Sequence, residues 1–150
     1  ERVAVALARA YVEAGRPLAA AVVLQEASRF HPRLAGESAE LYRRAGRYVR
    51  ALHMNAQVRD AKEKTRQRLG ILIDMAAFER AAALEPRLRR LGLLEDEKIR
   101  YALAYAAFKN GEYARAERHL AGLSDPTLFA KGIELRRAME ACRKSGARCL

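Results

Sequence analysis

Tryptophan is absent from this 150-residue chain, cysteine occurs twice, and proline occurs four times, at positions 17, 32, 86 and 126. So few prolines leave long stretches free to form regular structure. Valine and isoleucine are sparse beside alanine and leucine, which argues against a strand-rich fold and for helix. No uninterrupted apolar stretch exceeds eight residues, as at 17–24, and a membrane-spanning helix needs about 18. Chemistry-bearing motifs are missing too. There is no glycine-rich phosphate loop, no Gly-x-Ser-x-Gly, no His-Glu-x-x-His and no Cys-x-x-Cys. The three histidines, at 31, 53 and 119, do not stand at metal-ligand spacing from Cys, Asp or Glu. No enzyme activity, metal or cofactor is therefore expected. The chain begins Glu1-Arg2, without a methionine or a signal peptide; a removed leader and a piece of a longer protein both stay open.

What is present suits a single helical domain. Apolar residues make up 51% of the chain, enough for a core and too many for a disordered segment. The net charge is +11, and 23 of the 29 basic residues are arginine. That charge is uneven: residues 1–28 sum to zero, 29–68 to +7, 69–97 to −2 and 98–150 to +6. Such a field favours acidic partners, namely acidic peptides, anionic polysaccharide or, less strongly, nucleic acid. An arginine-rich, alanine-rich composition also arises from coding bias alone.

One short pattern recurs four times: a small residue, any residue, a ring residue, two residues, then alanine. The copies occupy 15–20, 46–51, 76–81 and 111–116. Their first residues are Gly15, Gly46, Ala76 and Gly111, spaced 31, 30 and 35 apart. Glycine in the first position ends a helix in the left-handed conformation. The ring begins the next helix, and the alanine lets two antiparallel helices cross closely. An apolar helix is expected before each turn, over 3–14, 35–45, 69–75 and 99–108.

These residues resemble the tetratricopeptide repeat. Leu7, Ala8, Tyr11, Ala20, Leu24, Ala27 and Pro32 fall at the family's spacing, as do Leu103, Ala104, Gly111, Tyr113, Ala116 and Leu120. Tyr42, Gly46, Tyr48 and Ala51 carry the second unit; Leu69 and Gly70 carry the third, where Ala76 replaces the turn glycine. The resemblance covers roughly residues 1–123 and departs from the family's regular period. It implies an all-α, right-handed superhelical array of antiparallel helix pairs. About four repeats are expected, over 1–31, 32–61, 62–96 and 97–123, with a C-terminal capping helix over 125–145, all within one domain. An ordinary antiparallel bundle is the alternative. The resemblance also implies a groove lined by the first helix of each pair, at Val5, Arg9, Gly36, Glu40, Arg66, Gly70, Tyr101 and Tyr105. That set lacks the family's clamp for a peptide C-terminal carboxylate.

Three further marks follow from the residues. Asp60 and Glu63 read as the capped start of a new helix, unless the helix from Tyr48 runs straight through. Pro86 should kink or end the second helix of unit three. Ser124-Asp125-Pro126 reads as an N-cap with proline in the first helical position. Cys142 and Cys149 flank a glycine-containing turn, so either a disulfide or two free thiols fits; the disulfide tips the expected location towards an exported, periplasmic one over a cytoplasmic one. Candidate binding residues are Arg9 and Arg66, the pair Tyr101 and Tyr105, and the cluster Arg43, Arg44, Arg47 and Arg50, which suits phosphate or carboxylate. The expected function is a non-catalytic protein–protein interaction module, an adaptor or scaffold of a larger bacterial-type assembly such as a secretion or envelope system. The alternatives are binding of an anionic polymer, acidic exopolysaccharide or RNA, and the repeat arm of a larger regulator.

Overall fold

The computed structural model describes residues 1–146, which are helical with no strand. No helix among the described residues is long and apolar enough to cross a membrane. The chain divides into two compact units, residues 1–75 and 76–150.

The first unit holds α1 (Arg2–Glu13), α2 (Pro17–Ser28), α3 (Ala35–Arg44), α4 (Tyr48–Ala56) and α5 (Ala61–Asp74). Each packs on the next, and α5 also touches α3. The connections are short, so successive helices run antiparallel and α1, α3 and α5 point the same way. The turns follow from sequence. At the first, the Gly15 N–H donates to the Val12 carbonyl (2.9 Å) and the Arg16 N–H to the Tyr11 carbonyl (2.8 Å). At the second, Gly46 bonds Arg43 and Arg47 bonds Tyr42 at 3.0 and 2.8 Å. Both glycines have φ near +69°, at +69° and +68°, where a side chain is strained. The ring residues Pro17 and Tyr48 then open α2 and α4. Ala20 and Ala51 are fully buried at the crossings. One apolar cluster fills this unit, with Leu24, Leu34, Tyr42, Met54 and Ile71 at its centre. Each such side chain contributes about 1.5–3 kcal/mol of transfer free energy.

Polar ties fix the helix order. The Ser38 hydroxyl donates to the Ala21 carbonyl (2.9 Å), and the buried Tyr42 hydroxyl donates to the Gln25 side-chain carbonyl (2.5 Å). Buried Asn55 donates to the Lys64 carbonyl (2.9 Å) and to the Gln67 side chain (3.0 Å). Gln67 in turn donates to the Gly36 carbonyl (2.8 Å). The α4 helix stops at Ala56, and α5 starts afresh with the Asp60 side chain accepting from the Glu63 N–H at 2.7 Å. A single helix running through this region is thereby excluded.

The second unit holds α6 (Phe78–Ala82), α7 (Glu85–Arg90), α8 (Glu97–Lys109), α9 (Tyr113–Leu120) and α10 (Pro126–Ser145). Its first turn is made by Ala76 at φ +57°, the one positive-φ residue other than glycine among the described residues. Phe78 nonetheless opens α6, and Ala81 is fully buried. The helix breaks after five residues, and Pro86 sits in the first turn of the short α7. The Gly111 turn repeats the bonds of the first unit, Gly111 to Phe108 at 2.9 Å and Glu112 to Ala107 at 2.8 Å. Tyr113 opens α9, and Ala116 is fully buried.

The α10 helix packs on α8 and α9. Its N-cap is Asp125, whose side chain accepts from the Leu128 N–H (3.0 Å), with Pro126 in the first turn. Glu97 pins the preceding loop by accepting from the Ser124 hydroxyl (2.6 Å) and the Asp125 N–H (2.8 Å). The Ser124 hydrogen bond leads the effects that hold its carboxyl below the usual range. Leu128, Leu135, Met139 and Cys142 line the buried face of α10. The expected partner of Cys142, Cys149, lies outside the described residues.

Candidate functional site

The principal concavity lies in the first unit, between α1, α3 and α5, with Leu24 of α2 at its base. Its volume is about 670 Å³, within the range of ligand sites. Val5, Ala8, Val12, Leu24 and Leu41 supply apolar surface, while Gly36 and Gly70 keep the walls low. Nothing stands within 4 Å of where a Gly70 Cβ would be. A Cβ on Gly36 would come within 2.7 Å of the Glu63 carboxylate, so a side chain there would displace the tip of Glu63. The six groove positions expected in this unit, Val5, Arg9, Gly36, Glu40, Arg66 and Gly70, all line this one groove.

The charged residues on the lining are Arg9, Arg43, Arg44 and Arg66 against Glu37, Glu40 and Glu63. Arg43 is committed inside the chain. It donates to both Glu40 oxygens at 2.8 Å and also to Asp74. Arg44 adds a third bond to Glu40 at 3.0 Å. The bond from Arg43 is the main reason the Glu40 carboxyl falls below its usual range, against the cost of partial burial. The same bond raises the Arg43 guanidinium. Arg9, Glu37 and Glu63 are exposed and form no ion pair among the described residues.

The other expected residues do not join this groove. Arg47 is exposed. Arg50 lies over the Tyr42 ring at 5.8 Å, beside a shallow pocket with Val22, Gln25, Val49 and His53. The four-arginine cluster is thus split: two members lie in the groove, bound to Glu40, and two lie elsewhere on the unit. Tyr101 and Tyr105 belong to the second unit. Both pack on its apolar cluster; burial pushes the Tyr101 hydroxyl up. Tyr105 meets Phe78 edge-on at 5.7 Å.

Sequence reasoning missed a second polar centre. Glu85 of α7 accepts from Arg115 (2.9 Å), meets His119 Nε2 at 3.1 Å, both on α9, and accepts from Arg89 at 2.7 Å. Arg115 also donates to the Ala82 carbonyl (3.1 Å), tying α9 to the end of α6. Burial alone would raise the Glu85 carboxyl, but the bonds from Arg115 and His119 outweigh it and hold the group at about 2. Arg115 and His119 stand 30 and 34 residues away, so local spacing gave no signal beyond the pair Glu85 and Arg89 and the same-face pair Arg115 and His119. The arrangement is a structural clamp in which both Glu85 oxygens accept hydrogen bonds. No group of three or more His, Cys, Asp or Glu suited to a metal occurs among the described residues.

Comparison with protein-family models, with curated proteins and with solved structures gives no match.

Proposed function

We propose that the chain is a tetratricopeptide-like interaction module that binds a peptide segment of a partner protein in the groove between α1, α3 and α5. The observation that carries this reading is the groove itself, an apolar floor of about 670 Å³ left open by Gly36 and Gly70 and edged by charged side chains. Apolar floors supply affinity and edge charges supply orientation. The four matching turns support the repeat reading, since the ring residues Pro17, Tyr48, Phe78 and Tyr113 each open a helix and each following alanine is fully buried. The proposal includes the right-handed superhelical arrangement of these pairs, which a crystal structure tests. An adaptor or scaffold role in a larger assembly follows from binding without chemistry.

Gly70→Trp gives the direct test of the groove. Residue 70 is helical, its Cβ points into open space, and replacing helical glycine favours the helix. The indole fills the groove while the fold is kept. Peptides selected from a displayed random library on the wild-type chain should lose binding to Gly70→Trp in fluorescence anisotropy, with no fall in Tm. Equal binding to both proteins sinks the proposal.

A further inference from the structure

We infer that the groove is electrostatically polarised along the helix axes, and that it takes a peptide carrying a basic and an acidic side chain on either side of an apolar centre, in one fixed order. This inference rests on the groove being the binding site. The helices α1, α3 and α5 run parallel, so their N-terminal turns lie at one end of the groove. Glu37 stands in the first turn of α3 and Glu63 in the first turn of α5. Both line the groove, are exposed and lack an ion pair among the described residues. Arg66, one turn on from Glu63, is engaged within the chain. Towards the other end come Arg9, past the middle of α1, then Arg43 and Arg44 in the last turn of α3. Arg9 is exposed and unpaired among the described residues, while Arg43 and Arg44 share the Glu40 carboxylate.

The carboxylates able to accept a new partner therefore sit at the N-terminal end, and the available guanidinium sits towards the C-terminal end. The middle is apolar. The α3 wall of the groove, from Glu37 to Arg44, is seven residues of helix, about 10 Å, a length an extended peptide covers in about three residues. A uniformly acidic segment is disfavoured: it places one of its carboxylates against Glu37 and Glu63. The chain's overall positive charge does not describe this groove, whose lining carries four arginines and three glutamates.

Panning a displayed library of random dodecapeptides on the wild-type chain, counter-selected on Gly70→Trp, provides the test. The expected consensus has a Lys or Arg and an Asp or Glu about three or four positions apart, flanking apolar residues, with one order dominant. Arg9→Glu should weaken the selected peptides about threefold to tenfold, the worth of one exposed ion pair replaced by repulsion. Exchanging the acidic residue of the peptide for Lys should restore the loss. Groove-dependent peptides that are acidic throughout, that show both orders equally, or that ignore Arg9→Glu overturn the polarity and leave the groove as the site. Failure to enrich any peptide sensitive to Gly70→Trp overturns the groove reading and the polarity together.

Discussion

The two compact units use the same hairpin and hold it together differently. In the first, α1 to α4 are nine to twelve residues long, each turn glycine is in place, and a continuous apolar cluster joins the helices. In the second, the leading turn is made by alanine, its following helix lasts five residues, and the next lasts six. A short helix buries little apolar surface. There the Glu85 carboxylate, gripped by Arg115, His119 and Arg89, links α7 to α9. The lesson is that a broken second helix is tolerated where a charge cluster between α7 and α9 supplies a tie. The first unit has its own charge cluster around Glu40, but it sits on helices already packed by the apolar cluster.

The largest expected effect tests that division of labour. Glu85→Ala leaves the partly buried Arg115 and the buried His119 without their anion, and losing these charge-assisted bonds should cost roughly 2–3 kcal/mol. Glu40→Ala should cost about 1 kcal/mol, because Arg43 keeps Asp74 and Arg44 is exposed to solvent. Segment-resolved hydrogen exchange in denaturant measures both. Comparable losses in the two units would break the comparison.

Acid gives the same test without a mutation. The Glu85 carboxyl moves from its ordinary 4.5 to about 2 in the folded chain. A lowered folded value means stabilisation that is present above the unfolded value and lost as pH falls through the folded one. On the order of 3 kcal/mol should therefore be present above about pH 4.5 and disappear progressively towards about pH 2. Glu85→Gln lacks this dependence. Unfolding free energies of the two proteins should differ at neutral pH and converge towards pH 2. Parallel curves would show that the carboxylate is not the tie.

A third pair of variants sharpens what the units share. Ala51 and Ala116, at the same position of the pattern in each unit, are both fully buried. Leucine at either forces the crossing apart and should cost about 1–3 kcal/mol. Equal costs, measured by thermal unfolding, would establish that the close crossing does not depend on the rest of the unit. A cheap Ala116→Leu would mean that the second unit is loosely packed there.

How much of this was legible in the sequence depends on range. Turn, ring and alanine sit within six residues of one another, so Gly15, Tyr48 and Ala116 announced their roles directly. The Asp60 and Asp125 caps and the Pro86 break are equally local. The groove positions followed from extending that register along parallel helices. Contacts between distant segments were not legible. Asp74 lies 31 residues from Arg43, so its part in neutralising the arginine cluster was not legible, whereas Glu40, three and four residues from Arg43 and Arg44, was within local reach. Glu85 carries only the local mark of Arg89 four residues on, and its ties to Arg115 and His119 come from a distant segment. Tyr101 and Tyr105 read from spacing as ligand-facing rings; how far each ring is covered depends on what packs beside it, here the apolar cluster that α10 helps to build, and both are half-buried.

The smallest expected effect is a sign reversal at the turns. Gly46 and Ala76 occupy the same place in the pattern with φ of +68° and +57°. No atom lies within 4 Å of a Cβ built on Gly46, so Gly46→Ala meets only backbone strain, about 1–2 kcal/mol, partly offset by reduced freedom in the unfolded chain. The net loss should be about 1 kcal/mol. Ala76→Gly relieves the same strain and should gain a similar or smaller amount. Both shifts are read from denaturant midpoints, with unchanged slopes confirming that only stability moved. A loss at both positions would mean that the Ala76 methyl makes contacts worth more than its strain, and the leading turn of the second unit would then be a packed joint, unlike its counterparts.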